Sequence, residues 1–294
     1  MTLGLEMLQV ARLGPSLLGE SSALVGEFVH GQWNADGGVR DRAGVSDLYY
    51  TVFGLESLRA LQLPIPETVR HFLMSHADGT ALDFVHRCCL ARCWAIVDPT
   101  EKEYRLGLSA GIMAFRSRDG GFSQRPDETC GNAYAIYLAV SALQDLGAAL
   151  PPTSALMTSL ENCRAKDGGY GNHPQSVFGT TPTTVSAILV RHACGEAVDK
   201  SVVDWLLASR WPQGGFRANQ QAPMPDLLST ATALHALACV QRAPTAAQVE
   251  ADLDYIDTLW TNQGAFHGHW AEDDVDVEYT YYGLLALGHL SLPT

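Results

Sequence analysis

Apolar residues recur along the chain at helical spacing, without the sustained alternation of β-branched residues that marks strands. One kind of segment, built from small and aromatic residues, returns again and again. It reads Tyr49-Tyr50-Thr51-Val52-Phe53-Gly54-Leu55, Tyr134-Ala135-Ile136-Tyr137-Leu138-Ala139-Val140, Thr230-Ala231-Thr232-Ala233-Leu234 and Tyr281-Tyr282-Gly283-Leu284-Leu285. Each of these helices follows a polar stretch, which in turn follows a glycine turn. The turns are Asp36-Gly37-Gly38-Val39, Asp119-Gly120-Gly121-Phe122, Asp167-Gly168-Gly169-Tyr170, Gln213-Gly214-Gly215-Phe216 and Gln263-Gly264-Ala265-Phe266. All but the first two lie roughly fifty residues apart, a spacing typical of repeat proteins. The longer first gap is divided by a degenerate copy, Ala77-Asp78-Gly79, which makes six units of two helices each. The paired glycines are expected at positive φ, where a Cβ would clash, with the following aromatic packed under the turn.

A helical hairpin of this kind cannot bury its apolar face alone, so neighbouring units must stack. The terminal units are not atypical polar caps, and the sixth is among the best formed. The expectation is therefore an all-α fold, an α6/α6 toroid of six hairpins, occupying residues 1–294 as a single domain.

Composition narrows the partners. With 47% hydrophobic and 17% charged residues, the chain can build a large core. A formal net charge of −13 argues against nucleic acid as a partner. The seven cysteines are odd in number and show no paired CxxC spacing, which fits reduced thiols in a cytoplasmic protein. No uninterrupted apolar run reaches the length of a membrane span, and the N-terminus carries no signal-peptide pattern.

The repeats also serve as internal comparisons. Aligned on their Ala-Leu or Ser-Leu endings, the second helices place Asp47, Asp83, Asn132, Thr180, Asp226 and Asp276 at one equivalent position. All are good helix N-caps, and a ring of such residues could equally bind substrate at one end of the fold. The sixth unit departs from the others by concentrating carboxylates: Glu272, Asp273, Asp274, Asp276 and Glu278. Crowded carboxylates in a low-dielectric site cannot all ionise, so one should stay protonated and serve as an acid. A solvated acidic helix start is the alternative. His267 and His269, with Asp274 or Asp276, form a weak candidate metal set. Asp83 and His86 could be an acid–base pair or a hydrogen-bonded histidine. Tyr49, Tyr50, Phe53, Tyr134, Tyr137, Tyr279, Tyr281 and Tyr282 fall on the second helices. There they pack, line an isoprenoid-binding cavity, or stabilise carbocations by cation–π attraction. Arg40, Arg42, Arg116, Arg118 and Arg125 lie around glycine turns and could hold a diphosphate.

The GGF…Y…AL grammar, sharpest in Gly120-Gly121-Phe122-Ser123-Gln124-Arg125-Pro126, resembles the prenyltransferase β-subunit and squalene-hopene cyclase (class II terpene cyclase) superfamily. The resemblance implies the toroid fold and an isoprenoid substrate. In protein prenyltransferases a similar GGF-x-x-R turn precedes an Asp-x-Cys pair that binds zinc. Here Arg125 matches the diphosphate-contacting arginine, but Gly131 and Ala133 stand where the zinc ligands would be, and Cys130 is out of register. Class II cyclases protonate an alkene or epoxide from an Asp-x-Asp-Asp motif. Asp274-Val275-Asp276 resembles its start, with Val277 in place of the last aspartate. Such cyclases usually pair this barrel with a second helical domain, so the cavity would need a homodimer or partner subunit, or another way to exclude water.

The reading that follows is a terpene cyclase-like enzyme that starts cyclisation by protonation. Asp276 is the expected acid, Asp274 its hydrogen-bonding partner. Arg125, Asp47, Asp83, Asn132, Asp226, Tyr50, Tyr137, Tyr279 and Tyr282 are the expected substrate contacts. The alternatives are a prenyltransferase that ionises a prenyl diphosphate with Mg2+ or Zn2+, and a non-catalytic isoprenoid-binding module. No cofactor is required by the first reading.

Overall fold

The computed structural model describes residues 1–100 and 102–292. Six helices hold the core: Leu48–Ala60, Phe84–Val97, Ala133–Asp145, Thr181–Ala193, Leu227–Cys239 and Val277–Leu290. They are apolar or small around most of their circumference, the pattern of a helix packed on all sides rather than along one stripe. Each is preceded by a second helix of its hairpin: Ser22–His30, Val69–Ser75, Lys102–Met113, Thr153–Asn162, Lys200–Ala208 and Ala246–Asp257. Two further helices, Leu3–Ala11 and Pro15–Leu18, open the chain.

The contacts divide the chain into two compact units. One comprises Met1–Gly4 and Arg70–Leu206; in it Phe84–Val97 packs on Ala133–Asp145, which packs on Thr181–Ala193. The other comprises Leu5–Val69 and Leu207–Thr294. Here Leu227–Cys239 packs on Val277–Leu290, which packs on Leu48–Ala60, so the first and sixth repeats are neighbours. Among the described residues no helix is long and apolar enough to cross a membrane.

The repeated turn is built as the sequence suggests at its first glycine only. Gly37, Gly120, Gly168, Gly214 and Gly264 take φ between 82° and 102°. At the second glycine, positive φ occurs in one repeat, at Gly215. There the usual need is space: a Cβ on Gly169 would sit 2.5 Å from the Trp205 ring. The aromatic that follows is buried under the turn, as Phe122, Tyr170, Phe216 and Phe266 show. Its backbone N–H is held by a threonine of the next helix, Thr184 for Tyr170 and Thr230 for Phe216, and Thr51 does the same for Val39. The polar stretch between turn and helix forms two-residue antiparallel pairs in two repeats, Val39–Arg40 with Ser46–Asp47 and Phe216–Arg217 with Pro225–Asp226.

One substitution within the repeat is compensated from elsewhere. Asp36, Asp119 and Asp167 accept the N–H of the second glycine of their own turns. In the fifth repeat that position is Gln213, and the N–H of Gly215 goes to Asp252 instead, at 2.8 Å. Asp252 is fully buried and also takes Nη1 of Arg210 on both of its oxygens. Arg210 in turn lies over the Phe216 ring, 4.5 Å from its centroid.

Candidate active site

The six equivalent polar positions all cap helices. Asp47 accepts from the N–H groups of Tyr49 and Tyr50, and Asp83 from that of His86. Asn132, Thr180, Asp226 and Asp276 accept from Ala135, Thr183, Ser229 and Tyr279 respectively. Asp47 satisfies two, and each of the others one, of the four donors that a helix start leaves unpaired. Capping explains the residue types at all six positions, so identity at this position alone does not mark a site.

Two positions further on, the repeats differ. Tyr49, Val85, Tyr134, Pro182 and Leu228 occupy the second helical position in the first five, and Glu278 occupies it in the sixth. Glu278 is the one carboxylate of that set, and it is buried at 9% exposure. Burial, the largest influence, pushes its carboxyl up to about 7. The nearby Asp276 carboxylate pushes the same way, against a hydrogen bond from Tyr49. The Tyr49 hydroxyl donates to Oε1 of Glu278 at 2.6 Å. At neutral pH a large share of Glu278 therefore carries a proton.

Asp276 sits in the opposite situation. Arg42 donates to its Oδ2 at 2.9 Å and also pairs with Glu272. Burial opposes the Arg42 charge, but these two carboxylates outweigh it and hold the guanidinium firmly protonated. A charge-assisted pair of this sort, with the Tyr279 N–H on Oδ1, suits a carboxylate and not a proton donor. Two carboxyl groups two residues apart thus differ in their partners: Asp276 is held by Arg42, and Glu278 by the Tyr49 hydroxyl.

The expected partnership of Asp276 with Asp274 is not formed. The helix begins at Val277, so Asp274 lies before it and shares no helical face with Glu278. Its side chain is exposed, and its backbone oxygen lies 3.2 Å from Nδ1 of His267. Nδ1 of His269 accepts the backbone N–H of Ala271. Neither histidine joins a three-donor cluster with the acidic residues among those described.

Tyr49, the hydrogen-bond partner of Glu278, belongs to an aromatic cluster. Tyr49 meets Tyr50 and Phe53 edge-on, at 5.8 and 5.0 Å between centroids. Phe53 reaches Tyr281 at 5.8 Å and Tyr282 at 5.5 Å. Arg42 lies over the Tyr279 ring, 5.7 Å from its centroid. Burial raises the Tyr50 hydroxyl to about 12 and that of Tyr279 further, aided by the surrounding carboxylates, so both remain neutral phenols. Asp226, on the neighbouring helix, is also raised by burial.

The remaining expected residues belong to the other unit. Arg125 is exposed and borders a cavity of about 370 Å3 with Ser123, Asn132, Asn172 and His173. Asp83 is exposed and pairs with His86 at 2.8 Å, a surface contact. Tyr137 is half-buried on the Ala133–Asp145 helix. Gly131 and Ala133 offer no donor atom, so the zinc ligands of protein prenyltransferases are missing at both positions. Sequence reasoning missed the Arg42 clamp and the Tyr49 hydrogen bond, and it ranked Glu278 below Asp276. The signal available was Glu278 itself, the odd residue at its repeat position.

The family model for the prenyltransferase alpha-alpha toroid domain matches residues 18–82, 75–196 and 183–291. Curated protein sequences give no match. Among solved structures, type II terpene cyclase MstE from Scytonema, in complex with the substrate geranylgeranyl dihydroxybenzoate, is similar with a TM-score of 0.65 at 14% identity. The similarity covers 95% of this chain and 97% of that one. The same cyclase in complex with its product, merosterolic acid A, gives a TM-score of 0.64 at 15% identity over 94% and 97% of the two chains. Candida albicans protein geranylgeranyltransferase-I complexed with GGPP gives 0.61 at 16% identity, covering 80% of this chain and 84% of that one. At these identities the likeness concerns the fold.

Proposed function

The chain belongs to the prenyltransferase alpha-alpha toroid family, and from that premise we propose that it is a terpene cyclase-like enzyme, one toroid domain over 1–294, that starts cyclisation of an isoprenoid or polyene by protonation. The observation that carries the reading is the buried Glu278 carboxyl beside an aromatic cluster, with its ordinary value displaced to about 7. In this reading Glu278 gives its proton to a terminal alkene. The π electrons form the new C–H bond and leave a tertiary carbocation on the adjacent carbon. The Tyr49 hydroxyl stabilises the carboxylate left behind, because its hydrogen bond strengthens as charge develops. Phe53, Tyr281 and Tyr282 face later cationic centres, each ring contributing about 0.5–2 kcal/mol by cation–π attraction. Asp276 and Arg42 keep each other charged and fix the start of the helix that carries the acid.

The complexes of MstE with a geranylgeranyl-bearing substrate and its product support an isoprenoid as the substrate class. The metal-dependent alternative has no donor at Gly131 or Ala133, which weighs against a prenyl-transfer zinc at that turn.

The test is mass-spectrometric product analysis after incubation with farnesyl diphosphate, geranylgeranyl diphosphate and squalene, with and without EDTA. The expected result is a cyclised product that keeps the diphosphate where the substrate carries one, and that forms equally well in EDTA. Its formation should decline as pH rises through about 7, because only protonated Glu278 is competent. Diphosphate release that EDTA abolishes would establish metal-dependent ionisation in its place. Binding without turnover would leave an isoprenoid-binding module.

A further inference from the structure

At the far end of the Leu227–Cys239 helix, distant in sequence from the acid cluster, three donor types converge. His235 and Cys239 are four residues apart and so share a helical face. Glu6 comes to them from the Leu3–Ala11 helix. Nε2 of His235 lies 3.9 Å from Sγ of Cys239, and one donor atom from each of the three residues lies within 4.8 Å of the others. Zinc bonds of about 2.0–2.1 Å to nitrogen and about 2.3 Å to sulfur place those two ligand atoms about 3.6 Å apart in a tetrahedral site. The present spacing is therefore close to what one ion would require. His235 is buried at 3% exposure, and its other nitrogen, Nδ1, lies 3.1 Å from Nε2 of His289. A proton on Nδ1, donated to His289, leaves the Nε2 lone pair aimed at Cys239. That is the way a ligating histidine is oriented by the partner of its second nitrogen.

We propose that Glu6, His235 and Cys239 form a zinc site, with His289 as the residue that positions the imidazole. Thiolate and imidazole donors suit zinc better than magnesium or calcium. Three protein ligands leave a fourth position for water or another ligand. On binding, the ion replaces the thiol proton of Cys239, which passes to solvent, while Glu6 binds as carboxylate and His235 as neutral imidazole. The site ties the Leu3–Ala11 helix to the C-terminal turn of Leu227–Cys239. A cavity of about 620 Å3 lies alongside, lined by Leu234, Leu237, Ala238 and His289 among others. The proposal does not depend on the cyclase reading, because none of these residues takes part in protonation.

The test is titration of the metal-depleted full chain with cobalt chloride, read by the thiolate-to-cobalt charge-transfer band. One equivalent of Co2+ is expected to produce the band and added Zn2+ to abolish it. Cys239→Ser should lose the band while Cys194→Ser, at another half-buried thiol, retains it. His289→Asn should weaken Co2+ binding about 10- to 100-fold without removing the band. Zn2+ should also raise the melting temperature of the unaltered protein in a concentration-dependent way. Should Cys239→Ser fail to fold, Glu6→Gln decides the matter, since it must weaken the cobalt complex. No band in the unaltered protein, or a band of unchanged affinity in Cys239→Ser or Glu6→Gln, would overturn the site.

Discussion

Glu278→Gln is expected to lower kcat/KM for cyclisation by about 10²- to 10⁴-fold, the usual cost of losing a general acid. Glutamine keeps the shape of the side chain and still accepts the Tyr49 hydroxyl, so the helix Val277–Leu290 and its Asp276 cap should be undisturbed. The loss would then report the proton and not the fold. Stability supplies an independent readout of the same substitution. The folded-state value of Glu278 is raised from 4.5 to about 7, so between those values the native state holds a proton that the unfolded chain has released. That contribution is fully present below about pH 4.5 and disappears as pH rises through about 7. Denaturant melts across this window should show the unaltered protein losing stability relative to Glu278→Gln as pH rises. Parallel curves, or a rate loss under tenfold, would remove Glu278 from the acid role.

The second large effect concerns the fold. Asp252→Ala should destabilise the protein by about 3–5 kcal/mol, because it leaves the Arg210 guanidinium without its counter-charge in a mostly buried place. The same change strips the Gly215 N–H of its acceptor within the fifth turn. The Arg210 side chain is 12% exposed and stacked on Phe216, so it cannot readily swing to solvent. Chemical denaturation checks this, and a change below 1 kcal/mol would show that the turn rearranges to satisfy itself. Asp252→Asn should cost less, since it preserves the shape and one acceptor oxygen.

Neither of these two residues is announced by the sequence, although much around them is. The repeat itself was legible, because glycine turns and buried small-and-aromatic helices recur at a fixed spacing. So were the six helix starts: aspartate, asparagine and threonine at one aligned position describe N-caps, and all six are caps. What the alignment of repeats could not convey is any contact between them. Arg42 and Asp276 are 234 residues apart, and Tyr49 and Glu278 are 229 apart. Without Arg42, the acidic run from Glu272 to Glu278 offers no reason to prefer one carboxyl. Asp276 then looks the better acid only through its likeness to a cyclase motif. With Arg42 in place, Asp276 is tied into an ion pair, and Glu278 is the carboxyl that burial raises. Asp252 was hidden for the same reason. It replaces a function that Asp36, Asp119 and Asp167 perform locally, and only the change to Gln213 hints that help must come from another helix.

The zinc proposal rests on another contact of this kind. His235 and Cys239 are visible together as a pair one helical turn apart, but Glu6 and His289 reach them through packing alone. Histidines 267 and 269, which the sequence offers as the more obvious pair, instead make backbone contacts within the loop that precedes the sixth helix.

The central claim is a carboxylic acid whose titration is raised to about pH 7 by burial beside an aromatic cluster. Carbon-13 NMR of glutamate-labelled protein, recorded from pH 4 to pH 9 beside Glu278→Gln, measures it directly. The account predicts one side-chain carboxyl signal that titrates near pH 7 and is missing from the variant. A signal assigned to Glu278 that titrates in the ordinary glutamate range would contradict it.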